Sequence, residues 1–264
     1  MSLIICKEKM SFEQLMGIQT PLATESHVPV PHSTLVNLTR EAISRAGMEI
    51  VKEEHGVARD GMNYFGGFAL RGELVNSQDR QLVVGLRNSH LKQFAASICI
   101  GASMMVCENL HFSSDTKLGR RHTTNIFTDL PRVLADAVGR CVSQWQTIGQ
   151  RFDAYKEIEI SRDRAADLLI ELADAKALPP REIYSVMNEF RNPRHPEFKG
   201  QTLYSLFNAF TEEMKGSDLS KLPYRTMACE SIFDKLARFI PSEPIEIDAS
   251  EVGNEFETLV VAGA

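Results

Sequence analysis

No Gly-Lys dipeptide occurs anywhere in the 264 residues, so the chain has no P-loop, and the His-Glu-x-x-His and Gly-x-Ser-x-Gly patterns are missing as well. These absences disfavour Walker-type nucleotide chemistry, zinc-protease chemistry and a serine nucleophile elbow. No Cys-x-x-Cys pair is present either. The five cysteines, Cys6, Cys99, Cys107, Cys141 and Cys229, stand far apart and read as thiols of a reducing cytoplasm. Cys99 and Cys107 lie in apolar runs expected to be strands, which argues against a zinc site with His111 and His122. Long hydrophobic runs are lacking too. The longest, residues 94–107, is broken by Ser97, Gly101 and Ser103 and falls short of the roughly 20 residues of a membrane helix. The first apolar run, residues 3–6, is too short for a signal peptide. The expectation is a cytoplasmic protein with no membrane contact, no metal and no cofactor.

Excess basic charge is also absent. The formal net charge is −6, which excludes the overall footprint of a dedicated duplex-DNA binder. Residues 1–150 nevertheless carry 15 Lys and Arg against 14 Asp and Glu. Residues 241–264 hold six acids and no Lys or Arg, so the body is neutral and the excess lies in an acidic tail. Such a body accommodates local basic grooves.

The remaining 43% hydrophobic content suffices for a core. Residues 19–31, with Pro21, Pro29 and Pro31, should run extended into a helix at 33–46 that Gly47 ends. Short β-type runs at 49–58, 63–72, 80–86, 94–100 and 102–109 predict a meander of about five strands, followed by a polar loop at 111–125. Thr128 or Asp129, with Pro131, should open a long helix. Its stripe of Leu134, Val138, Cys141, Trp145, Ile148, Phe152 and Tyr155 fits packing across the sheet, or alternatively a seam between copies in a homo-oligomer. Helices near 161–177, 180–191, 201–215 and 223–239 complete the chain, with Ser161 and Thr202 near helix starts. The fold class is therefore α+β: a domain at 1–157, a helical domain at 158–240 and the tail at 241–264.

The densest polar cluster of the first half is Arg87, Ser89, His90 and Lys92, with Asn109 and His111 from a nearby strand end. All four side chains of the 87–92 stretch can donate to an anion, although a hairpin or bulge explains them as well. Lys117, Arg120 and Arg121 form the one compact basic run there, suited to phosphate. Tyr64 and Phe65, flanked by Gly61, Gly66 and Gly67, fit a base-stacking strand or a core. Glu108 with Asp115 and Lys117 is the nearest approach to a nuclease metal site, and it lacks a third carboxylate.

Four segments then carry a family resemblance. Thr20-Pro21 with Ser26-His27-Val28-Pro29, Leu86-Arg87-Asn88-Ser89-His90, Val106-Cys107-Glu108-Asn109, and residues 200–212 (GQTLYSLFNAFTE) resemble, in that order, the phage- and plasmid-encoded domain-of-unknown-function family nine-three-two. The resemblance covers about residues 18–215. Leu91 and Lys92 stand where an Asp-Gly type turn is expected, and Glu108 replaces a small polar residue. The resemblance implies a mobile-element protein working in the host cytoplasm, and it brings no catalytic residues to carry over. The order of helix, meander and long helix is similar to the core of phage single-strand annealing proteins used in recombination, an analogy of fold. The expected function is non-enzymatic single-strand binding near Tyr64, Phe65, Arg87, Lys92, Arg120 and Arg121. The alternatives are sequestration of a host defence protein and, third, a metal-dependent nuclease.

Overall fold

Two glycines with positive φ set the rhythm of the first half. Gly47 (φ 72°) closes the first long helix, and Gly61 (φ 80°) turns the first hairpin, both in the left-handed region that a side chain resists. The computed structural model describes residues 8–75, 77, 80–104, 110–215 and 221–240, with 110–117 described by their backbone only. The elements are β1 (Glu8–Met10), α1 (Phe12–Met16), α2 (His32–Arg45), β2 (Glu49–Ala58), β3 (Asn63–Arg71), β4 (Arg80–Ser89), β5 (Ala96–Met104) and β6 (Leu110–Arg120). Then follow α3 (Ile126–Gly139), α4 (Cys141–Lys156), α5 (Arg162–Asp174), α6 (Ile183–Arg191), α7 (Leu203–Glu213) and α8 (Leu222–Ala237).

The strands form one antiparallel sheet in the order β1-β2-β3-β4-β5-β6. The class is α+β, as the sequence indicates, with β1 added, β4 running on to Ser89 and two further changes in the strands. Residues 96–104 form one strand through Gly101, and the stretch expected as a loop at 111–125 supplies β6, which pairs with β5 from Ala96↔Arg120 to Ser103↔Leu110. Polar residues are tolerated in a strand when pairing supplies the backbone bonds. Register places Tyr64, Phe68 and Leu70 beside Asn88, Val84 and Leu82 on the face that joins the main core. Phe65, paired with Arg87, and Ser97, paired in turn with Arg87, alternate to the other face.

The expected long helix is two. α3 ends at Gly139 and α4 begins at Cys141, with Arg140 between them. α3 also starts earlier than expected, at Ile126, which leaves Pro131 inside it rather than in its first turn. The apolar stripe runs through both helices, and all seven of its residues are buried within this one chain. A single buried cluster extends from Leu15 to Phe233, across the boundary expected near 157. Ser161 and Thr202 cap α5 and α7 by accepting from Arg164 N–H and Ser205 N–H. The expected acidic tail at 241–264 lies outside the described residues.

A buried ion network ties α8 to α4. The Arg151 side chain, fully buried, donates through Nε to Asp234 Oδ1 at 3.0 Å and Oδ2 at 3.1 Å, and Nη1 stands 3.6 Å from Glu230. Tyr155 O–H donates to Asp234 Oδ1 at 2.5 Å, and burial, then the Asp234 charge, pushes the phenol well above its usual range. Asp234→Ala leaves a guanidinium buried against a weaker partner and should cost about 3–5 kcal/mol in denaturant unfolding. Breaking the exposed Arg164–Glu171 pair should cost under about 1 kcal/mol. Equal effects of the two changes would contradict a stabilising role for this network.

Candidate functional site

The segment leading into α2 reads Val28-Pro29-Val30-Pro31. Pro31 has no N–H with which to close a turn on the Val28 carbonyl, and the Thr34 and Leu35 N–H groups at the start of α2 go to Pro31 O, so the carbonyls of Val28 and Val30 receive no donor from their own segment. They need donors from elsewhere. The sheet provides them. Asn88 Nδ2, near the end of β4, donates to Val30 O at 2.7 Å, and His90 Nε2 donates to the same oxygen at 2.9 Å. His122, two residues beyond β6, turns Nδ1 toward Val28 O at 3.3 Å while its own carbonyl accepts Val28 N–H at 2.8 Å.

The proton positions follow from these partners. A carbonyl only accepts, so His90 carries its proton on Nε2 and His122 on Nδ1. Asn88 Nδ2 also lies 2.8 Å from His32 Nδ1, which must then accept, leaving His32 Nε2–H to donate to Gly61 O at 2.8 Å. The His32 and His90 rings stack at 4.0 Å between centroids, 4° from parallel, and His27 packs on His122 at 5.1 Å. Burial, followed by the neighbouring His90, lowers the His32 pKa to about 3. Burial, followed by His27, lowers that of His122 to about 4. Burial also lowers His27 and His90, and the Lys92 charge adds to the effect on His27. Four of the seven histidines therefore form an uncharged frame at neutral pH. His27 Nε2, His90 Nδ1, His122 Nε2 and Asn88 Oδ1 are buried there without hydrogen-bond partners. Among the described residues no group of three His, Cys, Asp or Glu is placed to hold a metal ion.

The expected site residues divide around this frame. His90 belongs to it. Ser89 is buried, donating to Asn63 Oδ1 at 2.8 Å and accepting from Leu91 N–H at 3.1 Å, so it closes the β4–β5 turn instead of facing an anion. Tyr64 is fully buried and donates to His55 Nδ1 at 2.9 Å, which leaves it no ring face for a base. His55 in turn donates to Glu53 at 2.6 Å, and Arg40 clamps the same carboxylate at 2.6 Å. Phe65 is also buried, 8% exposed, with Phe94 against it at 5.7 Å. The Tyr64–Phe65 stacking strand is thus corrected to core packing, because adjacent strand residues face opposite ways and both faces are covered here.

The cations stand outside the frame. Arg87 lies over the Phe94 ring at 5.0 Å, Lys92 is exposed in the β4–β5 turn at φ 59°, and Arg121 is exposed where the chain leaves β6. Arg120 pairs with Asp129 at 2.6 Å and is neutralised by it. The backbone of Lys117 pairs with Cys99 in the sheet, and Asn109 lies outside the described residues. Sequence reading missed His27, His32 and His122 as partners of His90. The available signal was the pair of proline-preceding carbonyls, which require buried donors.

A family model described as Domain of unknown function (DUF932) matches residues 22–230. No curated protein and no solved structure matches.

The histidine frame makes stability acid-sensitive. The folded-state values of about 3 and 4 for His32 and His122 lie below the ordinary 6.5, so the unfolded chain binds more protons as pH falls below 6.5. Stability is full above that value and declines toward pH 4, by about 2 kcal/mol for each of the two at pH 5. Denaturant midpoints at pH 7 and pH 5 test this, with His122→Gln expected to shrink the difference. An equal midpoint at both pH values would contradict the frame.

Proposed function

We propose that this chain, which belongs to the DUF932 family, binds single-stranded nucleic acid without chemically altering it. The observation that carries the reading is the return of the β4–β5 turn and the β6 exit to one end of the sheet. The register that sets Arg87 opposite Ser97 and Ala96 opposite Arg120 brings Lys92 and Arg121 to that end. Exposed cations there suit phosphates, and the half-buried Phe94 under Arg87 suits a stacked base. Phe127, 48% exposed in the first turn of α3, lies six residues beyond Arg121 and adds a second aromatic surface. Among the described residues no helix is long and apolar enough to cross a membrane. The reading is of a mobile-element protein acting on strands in the host cytoplasm.

Phosphate contacts release counterions without reading bases. Lys92→Ala with Arg121→Ala should therefore weaken single-strand binding by a similar factor across sequences and lower the salt slope by about 1.4. Electrophoretic mobility or anisotropy over a salt series measures both. A folded double variant with unchanged affinity and slope would refute the site and favour capture of a host protein.

A further inference from the structure

Three cations of the helical half gather around one cavity. It measures about 250 Å³ and lies where the start of α5, the end of α6 and the loop into α7 meet; Arg162, Arg191 and Lys199 line it with Phe190, Pro193 and Gln201. Backbone bonds hold this junction. Ile160 N–H donates to Gln201 O at 2.7 Å and Leu203 N–H to Ile158 O at 2.8 Å, with Glu159 bridged to Thr202. The cavity wall is therefore built by the fold, not by side chains alone.

The surrounding cations show what is unusual here. Arg164 pairs with Glu171 at 3.0 Å, and Arg194 reaches Glu189, Glu212 and Glu213 at 3.2, 3.0 and 2.8 Å. Lys215 sits 2.7 Å from Glu212. Among the described residues no ion pair engages Arg162, Arg191 or Lys199, and the cavity lining contains no acid. The dipole of α6 favours Arg191 at its C-terminus, which accounts for one of the three and not for their gathering. Like charges around a concave site repel, and an oxyanion entering it removes the repulsion while meeting two guanidinium forks and an ammonium.

We propose that this cavity binds a phosphate monoester, carried either by a small nucleotide or by the 5′ end of a nucleic-acid strand. Its volume takes the phosphate and an adjoining sugar, with Phe190 and Pro193 as the apolar wall. The site uses none of the residues of the sheet end, so it stands or falls separately from the reading above.

Calorimetry on the full chain tests it with inorganic phosphate, thymidine monophosphate, and two identical oligodeoxynucleotides ending in 5′-phosphate or 5′-hydroxyl. Saturable binding of the nucleotide is expected, weakened about tenfold or more by Arg162→Ala with Arg191→Ala, less by Lys199→Ala, and not by Arg164→Ala. Preference for the 5′-phosphorylated oligonucleotide identifies a strand end as the source; nucleotide binding with no such preference identifies the free nucleotide. Lys92→Ala with Arg121→Ala leaves nucleotide binding intact. The proposal is overturned if no phosphate-bearing probe binds saturably, or if the folded Arg162→Ala, Arg191→Ala variant binds like the parent chain.

Discussion

Two backbone carbonyls, those of Val28 and Val30, decide how the first half of this protein holds together. Pro31 has no N–H to close a turn on Val28 O, the first N–H groups of α2 go to Pro31 O, and a buried carbonyl left without a donor costs about 1–3 kcal/mol. Asn88 and His90 from the end of β4 and His122 from beyond β6 supply the donors. Because those donors come from the same end of the sheet, the segment is held across it and α2 starts where the segment ends, at His32. His32 then completes the arrangement by joining Asn88 to Gly61. The entry to α2 and the β2–β3 turn are thus tied to the end of β4 by the Asn88 amide and a few uncharged ring nitrogens.

This arrangement separates polar groups by role. The imidazoles are buried and neutral, and they satisfy backbone; Lys92 and Arg121 are exposed and charged, in the β4–β5 turn and at the exit from β6. The helical half repeats the separation in another form. Arg151, fully buried, is matched by Asp234 and Glu230, whereas Arg162, Arg191 and Lys199 face a cavity. In the helical half the cation that ties α4 to α8 is paired inside, and three others line a hollow.

Much of this fold is legible in sequence where local chemistry decides it. The segment 49–58 is bounded by Gly47 and Asp60-Gly61 and forms β2 over those same residues. α2 falls within one residue of its expected span because Pro31 and Gly47 bracket an apolar period. β6 was hidden because a polar stretch becomes a strand only through pairing with β5, and the helix break at Arg140 was hidden under a stripe that continues through it. Of the histidine frame only His90 was singled out from the polar cluster, and its role there was not legible. The 87–92 stretch lies at the end of the sheet that holds the Val30 carbonyl, yet Ser89 serves the Asn63 side chain and the turn, and the carbonyl that His90 serves lies 60 residues away at Val30. No window of sequence contains both sides of such an interaction. The cavity of the helical half was equally hidden, since its lining spans residues 162–201.

Nitrogen-detected NMR of the histidine side chains at pH 7 addresses the neutral frame most directly. One slow-exchanging neutral tautomer is expected at each ring, protonated on Nε2 in His32 and His90 and on Nδ1 in His122, and in His32 and His122 it persists as the pH is lowered to about 5. Rings that average between tautomers, or that titrate near the ordinary 6.5, would show that these side chains do not hold the Val28 and Val30 carbonyls, and the account would fail.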